Sequence, residues 1–164
     1  NSGEYAVRHN PAPYYTTLTD CATKDVPYTQ LAGDLSSGNL PAFSFITPNL
    51  IDDMHDGTIQ QGDQWLQANL PTILNSPEYQ SGSTVVFITW DEGEGGKVND
   101  CSTNTTDIGC HVATIVTSPT TVPGTQDGTL YNHYSLLGTT EQLLGLPLLG
   151  QAVFANTMQN GFGL

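Results

Sequence analysis

The chain has 164 residues, one domain's length, of which 37% are hydrophobic and only 12% charged. Asp and Glu number 16 against 3 Lys and Arg (Arg8, Lys24 and Lys97), for a net charge of −13. Three cations cannot neutralise a nucleic-acid backbone or draw the chain to an anionic membrane, and a phosphate-bearing substrate would need a metal, imidazoles or backbone N–H groups to hold its charge.

The first 28 residues, rich in Pro, Tyr and Thr, read as loop with one helical turn. Residues 29–37 predict a short helix ended by Gly38. Residues 42–47 (AFSFIT) alternate and stop at Pro48, the pattern of a strand. A loop from Asn49 to Gly62 carries Asp52, Asp53, His55 and Asp56. Residues 63–75 put Trp65, Leu66, Leu70, Ile73 and Leu74 at helical spacing, with Pro71 inside. Residues 84–90 (TVVFITW) give the strongest strand signal, a β-branched and aromatic run suited to burial on both faces. An acidic, glycine-rich loop follows from Asp91 to Asp107. Residues 112–117 predict a second buried strand, and residues 133–144 an amphipathic helix ending at Gly145. The last twenty residues carry no firm signal. This order predicts an α/β fold with a mostly parallel sheet in a single domain over residues 1–164.

No run approaches the roughly 18 apolar residues of a membrane span. A start at Asn1 rather than Met suggests a mature or excised piece. Cys101 and Cys110 enclose a short polar stretch and are expected to form a disulfide. Cys21 is then either a buried free thiol or half of a bridge to chain outside this sequence. Asn104-Thr105-Thr106 is a glycosylation sequon. The scarcity of Lys and the 22 Thr residues suit an exported protein, and secretion is the expectation.

In open α/β sheets, ligands bind beyond the carboxyl ends of strands, and two polar clusters fall there. Asp91 and Glu92, directly after the 84–90 strand and followed by glycines, suit a hard divalent cation, although a solvated acidic turn would look the same. His55, among Asp52, Asp53 and Asp56, suits a phosphate ligand or a general acid, against the plainer reading of a surface histidine. His9 follows Arg8 in a loop, and His133 stands at a helix start as a ligand or a capping-region side chain. His111 precedes a strand at its amino end and reads as structural. No G-x-S-x-G, H-E-x-x-H or G-x-x-x-x-G-K-S/T occurs, so serine-hydrolase, zincin and P-loop readings lack motif support.

The ordered segments Arg8-His9-Asn10-Pro11, Pro41 to Asn49 with Asp53-Met54-His55-Asp56, Thr89-Trp90-Asp91-Glu92, Ile115 to Pro119, and Asn132 to Leu137 resemble the bacterial phosphoesterase family. That family includes secreted acid phosphatases, phosphatidylinositol phosphatases and non-haemolytic phospholipases C. The resemblance implies an α/β/α sandwich similar to alkaline phosphatase, with one divalent metal ion (calcium or a transition metal) at the strand ends. It implies Asp91 and Glu92 as metal ligands, His9 and His55 near the phosphate, and His133 as a further catalytic residue. An acid-Asn pair completing the metal site and the Ser or Thr nucleophile belong to an amino-terminal half that these residues do not include. The chain therefore reads as the carboxyl-terminal part of a larger phosphoesterase domain, with that missing half as its partner and a possible home for a cysteine bonded to Cys21. Two cysteines common in relatives are Ile51 and Gly57 here, which predicts a more mobile His55 loop.

The leading reading is a metal-dependent hydrolase of phosphate monoesters, with His9 and His55 expected to converge with Asp91 and Glu92 on one phosphate. The alternatives are a phospholipase C-type phosphodiesterase and a non-catalytic extracellular calcium-binding module.

Overall fold

A computed structural model of the protein describes residues 3–97, 101 and 106–164. The sequon's Asn104 and Thr105 lie outside them. The chain divides into two compact units, Asn1–Gln80 and Ser81–Leu164, and each is described by itself.

In the first unit, two 3-10 turns (Val7–His9 and Ala12–Tyr14) precede the helical turn α1 (Cys21–Lys24). A further 3-10 turn, Tyr28–Gln30, leads into α2 (Leu31–Ser37), followed by α3 (Ile59–Leu74) and the turn α4 (Pro77–Gln80). Helix α2 stops where the sequence predicts. Gly38 adopts φ 70° and its N–H bonds the Asp34 carbonyl, a left-handed cap that costs glycine no side-chain clash. Helix α3 starts earlier than its hydrophobic spacing alone predicts, because a capping box forms upstream. Thr58 Oγ1 accepts from the Gln61 N–H at 3.2 Å, while Gln61 Oε1 accepts from the Thr58 N–H at 2.8 Å, satisfying two otherwise orphaned donors. Trp65, Leu66, Leu70, Ile73 and Leu74 are all half-buried, as their shared face requires, and the helix continues through Pro71. Replacing Thr58 with Ala is expected to cost about 1 kcal/mol of stability, readable as a lower denaturant midpoint with an unchanged slope.

The buried apolar side chains of this unit are Ala6, Leu35, Leu50 and Tyr79. The strand expected over residues 42–47 is not formed: the segment bends at Ala42 and Phe43 and then runs without regular structure. Phe43 and Phe45 are 56% and 65% exposed. Alternation fixes which way side chains point, but a strand also needs a neighbour to bond its backbone, and none of the described residues supplies one.

In the second unit, β1 (Val86–Thr89) pairs with β2 (Thr114–Thr117), Val86 opposite Thr117 and Thr89 opposite Thr114. The pairing is antiparallel, where a parallel sheet was expected. A parallel pair needs a crossover of a dozen or more residues, usually a helix. Between β1 and β2 the described chain has only one 3-10 turn, Ile108–Cys110, and it simply doubles back. The strands are also less buried than their composition predicts: β1 is half-buried throughout, and Thr114 and Ile115 of β2 are exposed. No helix packs extensively on either strand among the described residues.

Helix α5 (His133–Leu143) matches its expected span closely. Asn132 Oδ1 accepts from the Ser135 N–H at 3.0 Å and Ser135 Oγ from the Asn132 N–H at 3.1 Å, a second capping box. Its buried side is polar and small rather than apolar: Ser135, Gly138, Thr139 and Glu141. Gly138 sits against the backbone of the 3-10 turn Gly150–Phe154, and Thr139 Oγ1 accepts from the Met158 N–H at 2.9 Å. The turn α6 (Gln159–Phe162) follows. The fold is thus mixed helix and strand. No helix of the described residues is long and apolar enough to cross a membrane.

Candidate active site

The first unit brings His9 and His55 together, although 46 residues separate them in sequence. Their ring centroids lie 5.1 Å apart at an interplanar angle of 54°. His9 ends the 3-10 turn Val7–His9, and its backbone carbonyl accepts from Thr47 Oγ1 at 3.2 Å. His55 sits in the loop after Pro48, and that loop is tied down locally. Asn49 Oδ1 accepts from the N–H groups of Ile51 and Asp52 at 3.0 and 2.9 Å, a turn that asparagine favours. The Leu50 N–H reaches the Glu4 carbonyl at 3.0 Å, and the Asp56 N–H the Leu50 carbonyl at 2.8 Å. Ile51 and Gly57, where relatives would carry a staple, are in contact: a Cβ on Gly57 would overlap the Ile51 carbonyl. Hydrogen bonds hold this loop in place of a disulfide.

Between Asp53 and His55, Met54 adopts φ 75°. A non-glycine residue held there stores strain on the order of 1–3 kcal/mol, which the surrounding contacts must offset. The Met54 side chain is seated over Gly62 in α3, where no side chain could stand.

Asp53 is the joint of the cluster. Its Oδ2 accepts from His9 Nδ1 at 2.7 Å and its Oδ1 from the His55 backbone N–H at 2.8 Å. The His9 and Asp53 side chains are 23% and 13% exposed, so this pair is the sheltered part of the site. His9 Nε2 has no protein partner among the described residues. His55 Nδ1 donates to Asp56 Oδ1 at 2.7 Å, and His55 Nε2 faces Arg8 Nη2 at 3.1 Å. A guanidinium only donates, so His55 Nε2 accepts and the ring's proton sits on Nδ1. The Arg8 side chain thus turns toward His55.

The second unit places Asp91 and Glu92 just beyond β1, both exposed. Neither carboxylate has a hydrogen-bond or ion-pair partner among the described residues. The loop behind them is braced by Asp107, whose Oδ1 accepts from the Gly109 N–H at 2.8 Å and whose Oδ2 accepts from the Lys97 N–H at 3.2 Å. Gly93 and Gly96 lie so close to the backbone of residues 108–111 that a Cβ on either would overlap it. Cys101 and Cys110 are disulfide-bonded, with Cα atoms 5.4 Å apart, as the short polar loop predicts. Cys21, in the first unit, is a half-buried free thiol whose Sγ donates to the Ala12 carbonyl at 3.6 Å. His133, the first residue of α5, donates Nε2–H to the Asp91 carbonyl at 2.6 Å, which fixes the backbone carrying that acid. His111 is exposed, just ahead of β2.

Among the described residues, no group of three or more His, Cys, Asp or Glu side chains is gathered to hold a metal. The Asp91–Glu92 pair has the oxygen chemistry that a hard divalent cation prefers, but it falls short of the roughly six to eight ligands calcium takes. The pair therefore fits part of a coordination shell.

Residues 1–147 match the model of the Phosphoesterase family. A phosphatidylinositol-3-phosphatase of Mycobacterium tuberculosis is 33% identical over 163 residues, covering 99% of this chain and 49% of its own length. An acid phosphatase of Aspergillus fumigatus is 32% identical over 152 residues, covering 90% of this chain and 32% of its own. A phosphate-repressible acid phosphatase of Penicillium chrysogenum is 30% identical over 154 residues, covering 90% and 35%. The chain thus spans about half the length of the mycobacterial relative and about a third of the fungal ones. No solved structure matches significantly.

Proposed function

The chain belongs to the phosphoesterase family, and from that premise we propose that it forms the carboxyl-terminal part of a secreted hydrolase of phosphate monoesters. The observation that carries this reading is the His9–Asp53 pair packed beside His55 and Arg8. An oriented imidazole with one free nitrogen, next to a cation, is what protonation of a leaving group from a dianionic phosphate requires.

In the proposed mechanism, Asp53 holds the His9 ring through Nδ1, and His9 Nε2 delivers a proton to the departing alkoxide oxygen. The His55 ring packs beside that of His9. Asp91 and Glu92 would hold part of a divalent cation's shell, with His133 steadying the Asp91 backbone. When bound, that cation supplies Lewis-acid stabilisation of phosphoryl oxygens and lowers the pKa of a nucleophile. The nucleophile and remaining ligands would come from an amino-terminal half of the same protein. The complete molecule would be an α/β/α sandwich similar to alkaline phosphatase. The exposed apolar side chains Phe43, Phe45 and Ile115 support this, since each is left uncovered here. The acidic composition and the Cys101–Cys110 bridge suit a secreted enzyme.

The test is turnover by the intact protein that carries these residues. Hydrolysis of p-nitrophenyl phosphate, lost with a chelator, is the expected result, with little or no turnover by the 164-residue chain alone. Faster hydrolysis of bis(p-nitrophenyl) phosphate would favour the diesterase reading. Cation binding with no hydrolysis of either would overturn both and leave a calcium-binding module.

A further inference from the structure

We propose that Arg8 is the phosphate-contacting cation of this site, and that His55 is the residue that positions it. The inference rests on the phosphatase reading and adds to it a residue and a division of labour. It starts from charge. Both ring nitrogens of His55 are engaged, Nε2 accepting from Arg8 and Nδ1 donating to Asp56, so neither is left to donate to a phosphate. The group suited to a phosphate's charge is the Arg8 guanidinium.

The second line of argument is what Arg8 does not do. In a chain with 16 acids and 3 Lys and Arg, every cation has carboxylates to choose from. Yet no carboxylate lies within ion-pair distance of Arg8 among the described residues, and its side-chain partner there is the His55 ring. Among the described residues its charge has no counter-ion, and one of its five N–H donors is spent on His55. Lys24 and Lys97 show no comparable placement: neither side chain bonds a residue of the histidine cluster among the described residues. Asp56, His55 and Arg8 form a relay in which each member fixes the next. It holds the guanidinium on the His55 ring, whose centroid lies 5.1 Å from that of His9. A planar fork of donors is also the group best matched to two phosphoryl oxygens at once.

The groups against His55 are Arg8, His9, Asp53 and Asp56. Of these, Asp53 is committed to His9 and to the His55 backbone.

The experiment measures competitive inhibition by inorganic phosphate of p-nitrophenyl phosphate turnover in the intact protein, with phosphate binding followed in parallel by calorimetry. Arg8→Ala should raise the phosphate Ki and the KM by about 10- to 100-fold, the loss of a charge-assisted contact, with a smaller change in kcat. Arg8→Lys should recover part of that loss. His55→Ala should move Ki in the same direction, and the double variant should be no worse than Arg8→Ala, because His55 acts through Arg8. Should Arg8→Ala fold poorly, Arg8→Lys still carries the test through its intermediate Ki. A Ki within about twofold of the parent in both Arg8 variants (below about 0.4 kcal/mol) overturns the assignment while leaving the phosphatase reading intact. If the parent protein hydrolyses nothing, the phosphatase reading fails. Calorimetry then still decides on Arg8, since equal phosphate affinity in parent and variant, or none in either, overturns it.

Discussion

Replacing His9 with Ala in the intact protein is expected to lower kcat by about 100- to 10,000-fold, the range of a lost general acid. The loss should depend on the leaving group. p-Nitrophenolate departs without much help, whereas an alkoxide needs its proton in the transition state. The variant should therefore lose far more activity against an alkyl phosphate than against p-nitrophenyl phosphate. The motive is geometric: Asp53 clamps Nδ1 at 2.7 Å in the most sheltered part of the cluster, which leaves Nε2 as the only ring atom able to reach a substrate. Asp53→Asn should show a milder version of the same leaving-group dependence, since it removes the charge that orients the ring but not the ring. Equal losses for both substrates would sink the acid role and leave His9 a binding residue.

How much of this was legible in the sequence depended on whether the deciding interaction was local. The end of α2 and the span of α5 were readable because their signals lie within a turn: Gly38 at a left-handed φ, and Asn132 with Ser135 at a helix start. The start of α3 is equally local: the Thr58–Gln61 capping box sets it upstream of the apolar spacing that begins at Trp65. The direction of strand pairing was not local. Apolar runs at 84–90 and 112–117 reveal two strands, while the 24 residues between β1 and β2 decide that they run antiparallel. The 42–47 segment has the alternation of a strand and no bonding partner among the described residues.

The candidate site shows the same division. His9 and His55 were picked out by residue type and neighbours, and their meeting is what their shared chemistry demands. The roles of Arg8 and Asp53 were not legible, because both are set by contacts across more than 40 residues. The one available hint was Arg8's place beside His9, in a 3-10 turn too short for the sequence to say which way it faces.

Asp91→Asn is expected to weaken divalent-cation binding by more than the roughly 10- to 100-fold that follows loss of an outer-shell partner. The substitution removes a candidate ligand's charge and leaves its shape. Stability should hardly change, and here the structure gives the reason. The Asp91 carboxylate is exposed and has no partner among the described residues. The contact that ties this position to α5 runs through its backbone carbonyl to His133 at 2.6 Å, which asparagine keeps. His133→Ala should do the reverse in kind: it frees that carbonyl, loosens the backbone carrying the acid, and lowers cation affinity by a smaller factor with the carboxylate still present. Calorimetric titration of the intact protein with calcium, and separately with manganese, reads both variants, and thermal melting of the cation-free protein checks the fold. A carboxylate pair prefers hard cations, so the affinity lost in Asp91→Asn should be at least as large for calcium as for manganese. Unchanged affinity for both cations in Asp91→Asn, with an unchanged melting temperature, would remove Asp91 from the ligand set. The acids after β1 would then be a solvated turn, and the cation would have to be held elsewhere.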